Sequence, residues 1–360
     1  MDSAPRYLSK THIKGLQTAY NKVFQDIKAK PNDDIEYKKL ALLPIILNFN
    51  TDNKFVGGKK MSFDYKMKCL LVRNDWSIFT LSLFRGRLKR IHSNDYTEND
   101  IDDEIQKLSH QQKLAKFMKD LKHTSLSVAY SRFLSDAVMA PSSEFTYKEL
   151  ETRFPQEPED IPELSKDDMQ EILKCVKNIT SNMVLNSVKK LKKGKASSIC
   201  TLYSEHIQQL TESNKNDRDE VKPANTQIFI DNLTWMMNAI LKGLIPIEVM
   251  GWYGSTEGNI ILPKPNKRRP ISKPTVFSKI FDSIMHTETA NKIEEHVKDI
   301  QFGASKFSCE KLSHVMRTGL ELRPHWTLMS LDSKDAFNLI LGAPMLTQVK
   351  EVTPELYIYI

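Results

Sequence analysis

Apolar residues recur every three to four positions along much of this chain, a spacing that gathers them on one face of a helix. In residues 13–28, Ile13, Leu16, Tyr20, Val23, Phe24 and Ile27 make such a stripe. Residues 37–47 predict a second helix, interrupted at Pro44, whose ring and missing N–H break the hydrogen-bond ladder. Further helices are predicted over 75–91 (Trp76, Phe79, Leu83, Leu88), over the charged stretch 100–121 and over 125–138. Turn residues fill 136–143. Downstream, 169–191 predicts one continuous helix. Residues 229–244 predict a strongly apolar helix with Trp235, Met236 and Leu241, ended by Gly243 and Pro246. A long amphipathic helix is predicted over 274–297 and another begins at 344–352. Residues 211–225 are polar and charged and predict a mobile surface loop.

Strand signals are few. Residues 259–262 (NIIL) are a short β-rich run, and 326–331 (WTLMSL) predict a buried strand ending at Asp332. Residues 154–162 (FPQEPEDIP) hold three prolines and three acids, a composition that breaks helices and marks a linker. Ser165 then predicts an N-cap, with Asp167 and Asp168 in the first helical turn. The expected organisation is a helical N-terminal region over 1–153, a Pro-rich linker over 154–165, and a further domain over 166–360.

Composition narrows the classes. Of 360 residues, 40% are hydrophobic, enough to bury a core. No apolar run reaches the roughly 18 residues of a membrane span, and no apolar stretch follows the N-terminal charges, so neither a membrane nor a secretory signal is expected. The cysteines, at positions 69, 175, 200 and 309, have no metal-finger spacing, which fits a reducing intracellular compartment and leaves nucleus and cytoplasm open. The net charge of +7 permits nucleic-acid binding without requiring it.

Local clusters carry candidate chemistry. Residues 328–338 (LMSLDSKDAFN) deliver Asp332 to the end of an apolar run. A carboxylate aimed from a strand end suits a hard cation such as Mg2+. Residues 259–271 (NIILPKPNKRRPI) lead from a short strand into a turn crowded with Lys264, Lys267, Arg268 and Arg269. Arginine grips phosphate in bidentate fashion, and lysine acts as a point charge. Gln301, Phe302 and Gly303 follow the long helix. Residues 189–195 (KKLKKGK) set Lys189, Lys190, Lys192, Lys193 and Lys195 around Gly194. Taken singly, each cluster is more often a plain turn, a solvated basic loop or a helix end.

Their order changes the reading. The succession of LPKPNKRRPIS, a helix, QFG, SCEKLSH and SLDSKDAFN resembles the reverse-transcriptase domain of non-LTR (LINE-like) retrotransposons. The likeness is firmest over 183–338, which includes 192–207 (KKGKASSICTLYSEHI), a stretch similar to that family's GKAPGPDG…EHL segment. The resemblance implies an α+β chain: a mainly helical N-terminal region, then part of a right-hand polymerase with its fingers and first palm strand. It implies Asp332 as the first catalytic metal ligand for Mg2+. Asp335 and Ala336 would line the floor under the incoming dNTP, and Phe337 would fill the space of a ribose 2′-OH. Lys264 and Arg269 would hold the triphosphate, and Gln301, Phe302 and Gly303 would shape the nucleotide pocket. The lysines of 189–195, with Lys267 and Arg268, would track the phosphates of an RNA template and DNA primer.

The chain also departs from that pattern. The family's second carboxylate motif, an aromatic-x-Asp-Asp turn after an apolar strand, does not follow Asn338 within these residues. Serine or threonine stands where the family has glycine at Ser198 and Thr201, and near Ser305 and Ser308. The expectation is therefore a truncated or eroded element, inactive by itself because one aspartate cannot hold two metals. The alternatives are a non-catalytic nucleic-acid-binding protein and a helical interaction protein.

Overall fold

A computed structural model describes residues 7–44, 63–73, 114–115, 117–118, 138–139, 144–152, 165–195, 202–212, 224–254, 256–264, 267–298, 301–304, 306–331 and 340–358. They are mostly helical, with little strand. In chain order the elements are α1 (Lys10–Ala29), α2 (Asp34–Leu42), α3 (Phe63–Leu71), β1 (Val138–Met139), α4 (Glu144–Glu151), α5 (Lys166–Cys175), α6 (Ser181–Lys190) and α7 (Ser204–Thr211). There follow α8 (Ala224–Leu241), α9 (Ile247–Gly254), β2 (Thr256–Lys264), β3 (Lys267–Pro274), α10 (Val276–Val297), α11 (Ser308–Leu322) and α12 (Gly342–Val352). Single 3-10 turns occupy Phe302–Ala304 and Pro354–Leu356. The chain divides into two compact units that interleave along the sequence.

The first unit comprises Met1–Glu151, Ile179–Ile240 and Leu244–Phe281. Its core is the apolar stripe of α1: Leu16, Tyr20, Val23, Phe24 and Ile27 are all buried. Tyr20 meets Phe229 of α8 at 5.5 Å and Phe277 of α10 at 6.5 Å, both edge-on, and Phe277 stacks with Tyr253 of α9 at 6.4 Å. A polar seam runs beside the stripe. Gln17 donates to the Leu210 carbonyl and to Thr226 Oγ1, Asn21 donates to the Asn225 carbonyl, and Lys28 donates to Asn232. These bonds satisfy polar groups that would otherwise lose water without compensation, and they fix the register of α1 against α8.

The β-sheet has the order β1-β2-β3, antiparallel throughout. Between Ile261↔Arg269 and Lys264↔Lys267, β2 advances three residues while β3 advances two. The extra residue is a bulge, and Pro263, which lacks an N–H, lies inside it. Val138, expected to end a helix, instead begins β1. Two residues carry too little pattern to announce a strand.

The second unit comprises Thr152–Asn178, Leu241–Gly243 and Asp282–Ile360. Ser165 caps α5, accepting from the Asp168 N–H at 3.0 Å, as its sequence position predicts. Asp168 also binds Lys350 of α12 at 2.7 Å, and Lys292 of α10 binds Glu355 at 2.6 Å.

Two further expectations need correction. The single helix over 169–191 is two helices, α5 and α6, with residues 176–180 between them. The reason is local capping combined with a remote side chain. Thr180 accepts from the Met183 N–H at 3.3 Å and starts α6. Asn238 of α8 accepts the Ile179 N–H and donates to the Ile179 carbonyl, each at 2.8 Å, so Ile179 bonds to a side chain instead of to a helix. The second correction concerns residues 326–331. They form no strand, and their apolar side chains face solvent: Trp326 is 59% exposed, Met329 74% and Leu331 82%. A strand needs a partner to pair its backbone and a surface to cover its side chains. Among the described residues neither is supplied there.

Candidate nucleic-acid interface

The basic run at 263–270 becomes the end of the β2–β3 hairpin. Lys264 and Lys267 are register partners across the two strands. Lys267, Arg268 and Arg269 occupy successive positions at the start of β3. Arg269 is exposed. The hairpin thus gathers four cations within six residues of chain, Lys264 to Arg269. Its base is held where Thr275 caps α10: Thr275 Oγ1 accepts the Ser278 N–H at 3.1 Å, and Ser278 Oγ donates to the Tyr253 carbonyl at 2.7 Å.

Gln301, Phe302 and Gly303 form one solvent-facing turn. The Gly303 N–H donates to Gln301 Oε1 at 3.0 Å, and the Gln301 N–H donates to the Val297 carbonyl. The turn is therefore closed by its own glutamine.

The lysine run is the best-anchored of the candidate clusters. Lys189 and Lys190 end α6, and Lys192, Lys193 and Lys195 follow, all exposed. Gly194 between them is buried and has φ of 75°, a left-handed conformation that a Cβ disfavours. Behind the loop stand two buried polar residues of α7: Glu205, the acid of the EHI match, which the sequence reading left without a role, and Gln208, which it did not single out. Glu205 Oε1 accepts the Gly194 N–H at 2.7 Å. Gln208 Nε2 donates to the carbonyls of Val188 and Leu191 at 3.2 and 3.0 Å. The available signal was their spacing: three apart on a short helix, they lie on the same side of it.

Asp332, Asp335, Ala336 and Phe337 lie outside the described residues, as does the Pro-rich stretch 153–164. Among the described residues, no group of three or more His, Cys, Asp or Glu side chains is arranged to hold a metal ion. No helix among them is long and apolar enough to cross a membrane. Comparison of the chain with protein-family models, curated proteins and solved structures finds no match.

Proposed function

We propose that the chain carries the fingers, and the segment leading into the palm, of an RNA-directed DNA polymerase of the non-LTR retrotransposon kind. It would hold an RNA template, a DNA primer and an incoming dNTP. The observation that carries this reading is the antiparallel pair β2–β3, whose ends carry the basic residues of the run PKPNKRRPI directly ahead of α10. Four cations at a hairpin end have no structural need of one another. A run of four cations in six residues suits an anion such as a triphosphate. The order of hairpin, long helix, QFG turn and Asp332 segment along the chain supports the same reading.

In this reading Lys264 and Arg269 hold the triphosphate, Asp335 and Ala336 lie beneath it, and Phe337 excludes the 2′-OH. Asp332 would ligate Mg2+, which supplies activation of the primer hydroxyl and neutralises the leaving pyrophosphate. Synthesis needs further carboxylates, and within these residues no aromatic-x-Asp-Asp turn follows Asn338. A second reading keeps the binding and drops the chemistry. It is favoured by residues 326–331, which run up to Asp332 with no strand to aim it.

Filter binding of an RNA template annealed to a DNA primer, combined with primer extension in Mg2+, tests the proposal. Binding is expected to weaken steeply with salt and to survive Asp332→Ala, with no extension by this chain alone. Absence of any salt-dependent binding would overturn it.

A further inference from the structure

We propose that Glu205 and Gln208 are positioning residues, which hold the loop of residues 189–195 in the shape that grips a nucleic-acid phosphate backbone. The inference rests on the nucleic-acid reading above and assigns roles to two residues that the family motifs leave without one. Both side chains are buried, Glu205 to 1% exposure, and both reach from α7 to the backbone of one loop. Gln208 takes the carbonyl of Leu191, the residue that caps the end of α6, and shares the Val188 carbonyl with the Leu191 N–H. The Gly194 N–H, which Glu205 takes, fixes the left-handed residue in the middle of the lysine run. With these backbone groups drawn inward, all five lysines are left facing solvent on a fixed frame. A frame fixed in advance binds a polyanion without first having to be ordered.

The chemistry of Glu205 makes the proposal testable by sign. A carboxylate behind five lysines weakens their attraction for phosphate if charge is all that matters. Removing it should then tighten binding. If the anchor is what matters, removing it frees the loop and weakens binding. Ordering one or two freed residues on binding corresponds to about a five- to ten-fold loss.

The experiment is fluorescence anisotropy of a labelled, mixed-sequence single-stranded RNA with the full 360-residue chain, titrated at salt concentrations between about 50 and 200 mM. The Lys192→Ala, Lys193→Ala, Lys195→Ala triple variant should flatten the log–log salt slope by about two, from roughly 0.7 per lost phosphate contact. Glu205→Ala should bind about five-fold more weakly with the slope kept. Glu205→Gln keeps an oxygen for the Gly194 N–H and loses the charge, so it should bind at least as tightly as the wild type. Gly194→Ala leaves every charge in place, strains the left-handed residue and should weaken binding as Glu205→Ala does. Should Glu205→Ala not fold, Gly194→Ala and Gln208→Leu carry the test. Tighter binding by Glu205→Ala, or unchanged binding by Gly194→Ala, overturns the anchoring role. A triple variant that binds like the wild type overturns the site and leaves the nucleic-acid reading standing. A wild-type chain that binds no RNA overturns both.

Discussion

Replacing Asn238 with leucine should unfold the joint between α5 and α6 and cost more than any surface change. The Asn238 side chain makes both backbone bonds of Ile179, at 2.8 Å each, and a third to the Thr234 carbonyl at 3.0 Å. Ile179 is buried, so water cannot replace the lost partners. A buried backbone group left unpaired costs about 1–3 kcal/mol. Two such groups give a loss of about 2–4 kcal/mol after the extra apolar contact of leucine is allowed for. For a domain of this kind, that lowers Tm by roughly 5–10 °C. Urea unfolding would read the loss as a shift in midpoint at constant slope. Hydrogen exchange at the Ile179 amide should speed up in parallel. Asn238→Asp is a sharper control: it keeps the acceptor for the Ile179 N–H but turns an oxygen toward the Ile179 carbonyl, and should be destabilised as well. The account of the helix break fails if Asn238→Leu lies within about 0.5 kcal/mol of the wild type, the range of an ordinary surface substitution.

Phe24→Ala should cost about 3–5 kcal/mol, read from urea midpoints, because Phe24 is fully buried in the α1 stripe. The double change Met329→Ser, Leu331→Ser should cost less than about 0.5 kcal/mol and improve solubility. A loss above about 2 kcal/mol would mean that these side chains are covered. The carboxyl of Asp168 is held below the usual range by hydrogen bonds from Lys350 and Ser165, and the same pair raises the Lys350 ammonium. Their mutual support is therefore present at neutral pH. It is lost on the acid side as pH falls through the depressed Asp168 value, and on the alkaline side as pH rises through the elevated Lys350 value. In Lys350→Met, the Asp168 carboxyl titration followed by NMR should move up, and an unmoved midpoint would refute the pairing.

Helix α1 was legible because Leu16, Tyr20, Val23, Phe24 and Ile27 serve a single demand, burial on one face. The break between α5 and α6 was not. The apolar period runs straight through it, with Ile172, Val176, Ile179 and Met183 three and four apart. What interrupts it is an asparagine about sixty residues away in sequence, and periodicity cannot register a remote hydrogen bond. Residues 326–331 show the opposite failure. Their composition asks for a strand, but a strand is a property of two segments, and composition describes one. The hairpin was legible as a basic turn between short strands, and Arg269 stands exposed on it. The lysine loop was legible by charge alone. Its anchors were not: Glu205 lay in the EHI match without an assigned role, and Gln208 looks on paper like one more solvated residue of a polar helix face.

The claim that the hairpin grips a nucleoside triphosphate is tested most directly by photo-crosslinking. A radiolabelled azido-dATP would be added with Mg2+ and an RNA–DNA primer–template, and the labelled peptide mapped. The account predicts label within residues 256–274, lost when Lys264 and Arg269 are both changed to alanine. Label that maps elsewhere, or that persists unchanged in the double variant, would contradict it.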